Sequence, residues 1–162
     1  MKYCLDTNFF IEGWNKYYSP DFCNGYWDII SELGKTGDLF VPEMVRNEIN
    51  KVDDALKNWF KDRNYLVKSI DENVQKCLKE IYAKDSNHHK LVDNTKNRSI
   101  ADPWVIAHAM AESAVVVTKE EKITTPGSTK IKIPNVCDNM GIRWIDDFIF
   151  IREIQLNFNC TK

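Results

Sequence analysis

The feature that most constrains this chain is its opening. Lys2-Tyr3-Cys4-Leu5 suits a short buried strand, and an acid, Asp6, stands where that strand ends, followed by Thr7 and Asn8. Phe9, Phe10, Ile11 and Trp14 then resume the spacing of a helix. A carboxylate at the carboxyl end of an inner parallel strand lies in the crevice where open α/β sheets place their chemistry. The question for the rest of the sequence is which later acids return to Asp6.

Several strand–helix alternations follow. Pro20, after Ser19 as a cap, opens a helix over about 21–35 with Tyr26, Ile29, Ile30 and Leu33 on one face. Leu39-Phe40-Val41-Pro42 is a second buried strand. The helix from Glu43 towards Val52 places Val45, Ile49 and Val52 on one face, with Glu48 beside that face. A helix over about 53–63, a short extended piece at Leu66-Val67, and an amphipathic helix capped by Asp71 come next. The stretch 84–97 is polar and reads as a solvated loop or frayed helix, including His88 and His89. Ser99-x-x-Asp102 has a capping-box pattern before Pro103, so Asp102 begins a helix running to about Ser113. Ala114 to Thr118 is the strongest strand, and Lys119-Glu120-Glu121 follows it directly. Ile133 to Asn139 is a short helix, 142–145 a last strand, and Asp146-Asp147 cap a terminal helix. Strands alternating with helices imply a three-layer α/β/α sandwich with a short, mainly parallel sheet. Nothing in the 162 residues suggests a linker, so one domain over 1–162 is expected.

Four acids therefore fall at comparable places: Asp6, Glu48, Asp102 and Glu120. Carboxylates brought together repel, and the ionised cluster needs a compensating cation or proton. Oxygen ligands suit Mg²⁺ or Mn²⁺, and such ions cleave phosphodiesters by activating water and offsetting charge on the phosphate. Each acid also has a plain structural reading. Asp6 could simply cap the first helix, Glu48 could be a solvated helix acid, and Glu120 and Glu121 could be surface charges after a strand.

Taken in order, these motifs resemble those of the PIN-domain family. Asp6-Thr7-Asn8 matches its first motif, with Asp6 as ligand and Thr7 or Asn8 bracing it. Val41-Pro42 followed by Glu48-Ile49 looks like the second. Asp102 in Ala-Asp-Pro-Trp-Val-Ile-Ala looks like the third, and Thr118-Lys119-Glu120 is similar to the fourth, where Thr-x-Asp is usual. The Ala-Asp-Pro-Trp-Val-Ile-Ala and Lys-Ile-Pro-Asn-Val-Cys stretches look most like a little-characterised PIN-like subgroup. The resemblance implies a metal-dependent endoribonuclease, with RNA as substrate and the setting of a VapC-type toxin paired with an antitoxin. It also makes a homodimer plausible. Glu in place of the fourth Asp is a departure. Its longer side chain favours one fully occupied metal over two, and Glu121 beside it leaves the assignment between the two open.

Thr7, Asn8 and Thr118 would brace the ligands by hydrogen bonds. Lys119, Lys122, Lys130 and Lys132 would form a basic strip beside the site, extended by Lys96 and Arg98, to position RNA phosphates. Trp14, Trp27 and Trp59 read as core or interface, and Trp104 as packing against the sheet rather than stacking on a base. Two rivals stand beside the nuclease. A phosphatase with Asp6 as nucleophile ordinarily carries a second Asp two residues on, where Asn8 stands here. A non-catalytic PIN-like module binding RNA or protein would need no acid cluster.

Composition excludes little more. The net charge of -2 argues against tight non-specific duplex binding. Five widely spaced cysteines without a Cys-x-x-Cys pair suggest reduced thiols rather than a disulfide framework or a zinc site. Without a signal-peptide pattern or a run long enough to span a membrane, a soluble cytoplasmic protein is expected.

Overall fold

A computed structural model describes residues 1–92 and 99–159, with the backbone alone at position 54. Five short strands form one sheet: β1 (Tyr3–Leu5), β2 (Leu39–Pro42), β3 (Val67–Lys68), β4 (Val115–Val117) and β5 (Trp144–Ile145). Their spatial order is β3-β2-β1-β4-β5, and every neighbouring pair is parallel. β1 is central, with Cys4 opposite Phe40 of β2 and Val116 of β4. The chain builds outward from β1 through β2 to β3, then resumes on the other side with β4 and β5. The carboxyl ends of β1 and β4 therefore flank the point where the winding reverses, the place where such sheets form a crevice.

Helices cover both faces, completing a three-layer α/β/α sandwich: α1 (Thr7–Glu12), α2 (Pro20–Thr36), α3 (Glu43–Val52), α4 (Asp54–Lys61), α5 (Glu72–Lys84), α6 (Asp102–Glu112), α7 (Ile133–Met140) and α8 (Asp147–Glu153). Three starts use the same device. Asp53, Asp71 and Asp146 each accept the backbone N–H three residues on, at 2.9, 2.8 and 2.7 Å, satisfying a donor that a helix start leaves free. Gly37, at φ 79, closes α2 in the left-handed conformation that glycine adopts without strain. The helix expected over 21–35 is Pro20–Thr36, bent at Cys23, and Ser19 makes no side-chain cap.

The core is nearly continuous from β1 outward. Cys4, Leu5, Val41, Val116 and Val117 are fully enclosed, as a parallel sheet covered on both faces requires. α1 is held by aromatic rings. Phe10 lies 5.0 Å from Phe60 and 6.1 Å from Trp27, and Trp27 is 4.8 Å from Trp14. This cluster fixes the helix that starts beside Asp6, and it accounts for Trp14, Trp27 and Trp59 as packing residues. Trp104 is half-buried against the same core. α6 is buried along most of its length, lies against β1, β2 and β4, and packs along α5.

Two local expectations are corrected. Ser99 is not the cap of α6. It has φ 59, Ala101 takes the cap position, and Asp102 is the first helical residue. His88 is not solvated. Ser86–Leu91 forms a 3₁₀ helix that buries it, with Nδ1 2.6 Å from the carbonyl of Ile81 and Nε2 3.0 Å from the amide of Asn139. Asn139 donates to Nε2, so Nδ1 carries the proton and donates to Ile81. Among the described residues no helix is long and apolar enough to cross a membrane.

Candidate active site

Asp6 is almost wholly buried just beyond β1. Its Oδ1 accepts the amide of Thr7 at 2.6 Å, so it does cap α1, and its Oδ2 accepts the hydroxyl of Thr118 at 2.8 Å. The capping and site readings of Asp6 are thus compatible. Thr118 follows β4, and its Oγ1 also accepts the amide of Glu120 at 3.1 Å. One hydroxyl therefore links the first acid to the backbone of the last.

Glu48, on α3, is held at both oxygens. Oε2 accepts the hydroxyl of Thr7 at 2.7 Å and Oε1 the amide of Ala101 at 3.0 Å. It fastens α1 and α3 to the start of α6, where Asp102 lies buried. Glu120 is also engaged: Oε2 accepts the amide of Ile133, the first residue of α7, at 3.0 Å, and Lys132 Nζ stands 3.8 Å from Oε1. Asn8 and Thr7 line a cleft of about 360 Å³ with Glu48, Ser99 and Asp102.

The four acids feel one another. Burial, then the charges of Glu120 and Glu48, push the Asp6 carboxyl up to about 7, against the lowering effect of its bonds from Thr118 and Thr7. Burial pushes Asp102 well above the carboxylate range, followed by the charges of Asp6, Glu120 and Glu48, with a hydrogen bond from Ser99 opposing. Glu120 is the acid of the neighbouring pair that acts on this cluster, whereas Glu121 is exposed. Among the described residues no three His, Cys, Asp or Glu side chains stand close enough to grip a metal ion in this arrangement. In kind, the donor set fits a hard divalent cation. It is all oxygen, it is self-repelling, and two of its members are held short of full charge without one.

The proposed RNA contacts divide. Lys119 is drawn inward, its Nζ 2.7 Å from Asp147 and 4.1 Å from the centre of the Tyr17 ring. Lys122 pairs with Asp138 at 2.5 Å. Lys130 is exposed and pairs with no carboxylate among the described residues, while Lys96 and Arg98 lie outside them. Sequence reasoning missed two bonds, the amide of Ala101 to Glu48 and the amide of Ile133 to Glu120, and neither had a local signal.

The sequence matches the profile of a family described as a domain of unknown function, DUF4411, over residues 3–158. The chain belongs to the DUF4411 family. A search of curated proteins finds no match for this DUF4411 chain. Among solved structures it is similar to VapBC2 from Rickettsia felis, determined bound to a DNA fragment from their promoter. The two share 18% identity, with a TM-score of 0.53 over 90% of this chain and 98% of that one. At that identity the likeness carries the fold alone, and the fold of this DUF4411 chain is PIN-like.

Proposed function

We propose that this chain is a metal-dependent endoribonuclease of one PIN-like domain, acting in the cytoplasm as the toxin of a toxin–antitoxin pair. The observation that carries the reading is that buried Asp6 and Asp102, with Glu48 and Glu120, lie within reach of one another's charge at the sheet's switch point. The PIN-like fold and the likeness to VapBC2 support the nuclease class and an antitoxin partner.

Asp6, Asp102 and Glu120 would hold a Mg²⁺ or Mn²⁺ ion, with Glu48 reaching it directly or through water. When bound, that ion supplies Lewis acidity, lowering the pKa of a coordinated water and offsetting charge on the scissile phosphate. Thr118 and Thr7 keep the carboxylate oxygens of Asp6 and Glu48 at fixed angles through the bonds described. One carboxylate of the cluster would take the proton released from the attacking water.

One observation favours a second reading, a non-catalytic PIN-like module that binds RNA or protein. Both Glu48 oxygens and one Glu120 oxygen are occupied by the chain's own donors. The test is RNA cleavage by purified wild type and Asp6→Ala in Mg²⁺, Mn²⁺ and EDTA. Cleavage abolished by both EDTA and the substitution supports the nuclease. RNA or partner binding that is indifferent to both, without cleavage, supports the module.

A further inference from the structure

Three hollows adjoin the acid cluster, and their charges differ. The cleft beside Glu48 and Asp102 carries one lysine, Lys51. A second hollow, of about 490 Å³, includes Glu120 but adds Glu12, Glu121, Asp146 and Asp147 against Lys119 and Lys122, both already ion-paired. Neither suits a polyanion. The third, of about 700 Å³, has Asp102 and Glu120 as its acids among the described residues and His89, Lys90, Lys130 and Lys132 along its walls. A further hollow shares Lys90, Thr129, Lys130 and Ile131 with it and carries it on to Gly127 and Ser128; its one acid among the described residues, Asp85, has Oδ1 engaged by the amide and side chain of Asn87. The two form one furrow that starts at the acids.

Among the described residues, the lysines of this furrow make few contacts with acids. Lys90 Nζ donates to the neutral side chain of Asn87 at 2.6 Å, and neither Lys90 nor Lys130 pairs with a carboxylate among the described residues. Among the described residues, Lys132 faces one carboxylate, Glu120, at 3.8 Å. His89 is held in the wall by stacking on Tyr82, ring centres 4.0 Å apart and planes 10° apart.

We propose that this furrow binds the phosphodiester backbone of single-stranded RNA on one side of the scissile phosphate, through Lys90, Lys130 and Lys132. The proposal rests on the nuclease reading and gives that site a direction: the strand leaves the acids between the 3₁₀ helix Ser86–Leu91 and the segment before α7. Lysines at such positions neutralise phosphates without reading bases, so their signature is salt dependence rather than sequence preference.

The test is binding of a fluorescent 15-nucleotide RNA, titrated over a range of KCl by anisotropy. The proteins are Asp6→Asn, in which cleavage is silenced, and the wild type in EDTA, which guards against misfolding of that variant. Each phosphate neutralised on a single strand adds about 0.7 to the log–log salt slope, so Lys90→Gln with Lys130→Gln reduces the slope by about 1.4 and weakens binding. The control is Lys57→Gln with Lys61→Gln, in another basic hollow that contains none of the four acids; there the slope is expected to hold. An unchanged slope in the furrow variant, an equal loss in the control, or no RNA binding overturns the proposal. Equal binding and equal loss with a DNA strand overturns its assignment to RNA. Because binding is read without cleavage, the two ideas fail separately: furrow-dependent binding by a protein that never cleaves RNA retires the nuclease and keeps the furrow.

Discussion

The hydroxyl of Thr118 donates to Asp6 Oδ2 at 2.8 Å, which ties the end of the fourth strand to the end of the first at the most buried acid of the cluster. Thr118→Val keeps the shape and removes the donor. The buried Asp6 oxygen then lacks a partner, at a cost of about 1–3 kcal/mol in urea unfolding. Thr118→Ser retains the bond and is expected to keep Mn²⁺ affinity, while Thr118→Val lowers it. Equal affinity in both variants would remove Thr118 from the site.

Asp6 sets a pH dependence whose sign can be stated. Its carboxyl sits at about 7 in the fold against an ordinary aspartate value of 3.8. Between those values the folded state holds a proton that the unfolded chain has released. Metal-free stability attributable to Asp6 is therefore full below about pH 4 and declines as pH rises towards 7. Melting temperatures in EDTA should show wild type losing ground to Asp6→Asn across that window, and Mn²⁺ should restore more at pH 7.5 than at pH 5. A gap between the two proteins that does not change with pH would contradict this.

Glu48 serves the frame as well as the cluster. Glu48→Ala strands the amide of buried Ala101 and the hydroxyl of Thr7, and should cost about 1–3 kcal/mol in chemical denaturation. A variant as stable as wild type would show that water replaces both bonds.

The Lys119–Asp147 pair is nearly out of solvent, its side chains 10% and 3% exposed. Lys119→Met leaves Asp147, among the described residues, with the hydroxyl of Tyr18 at 3.0 Å, and removal of one partner of a buried pair costs about 3–5 kcal/mol. Adding Asp147→Leu should recover part of that loss. A double variant less stable than Lys119→Met would count against the ion pair as the cause.

Gly34 is a packing glycine. A Cβ there would stand 2.0 Å from Cδ2 of Leu66, which is fully buried. Gly34→Ala should lower stability by about 1–3 kcal/mol, and Leu66→Ala in the same chain should relieve the clash. Additive losses in the double variant would refute direct contact.

Much of this architecture was legible because its signals are local. Leu39–Pro42 and Val115–Val117 are apolar runs that suit buried strands, and Asp53, Asp71 and Asp146 mark helix starts through bonds only three residues long. The alternation of strands and helices was enough to suggest a parallel sheet with Asp6 at the carboxyl end of an inner strand, but not the order in which the strands lie. What stayed hidden depends on distant partners. The sequence around His88 is polar throughout, and nothing in its spacing reveals that Asn139 will bury the ring. Lys119 looks like Lys130 until Asp147 draws it inward. Glu48 stands beside the apolar face of its helix, as its spacing suggests, yet its second bond comes from Ala101, 53 positions away.

His88 also governs how far apart two surfaces can stand. Its ring spans from the carbonyl of Ile81 at the end of α5 to Asn139 on α7, while the next residues, His89 and Lys90, form one bank of the furrow, and Lys130 and Lys132, just before α7, form the other. A single neutral imidazole thus acts as a spacer bar between the banks. The gauge of the channel is set inside the protein, by a residue that a strand lying in the channel would never touch.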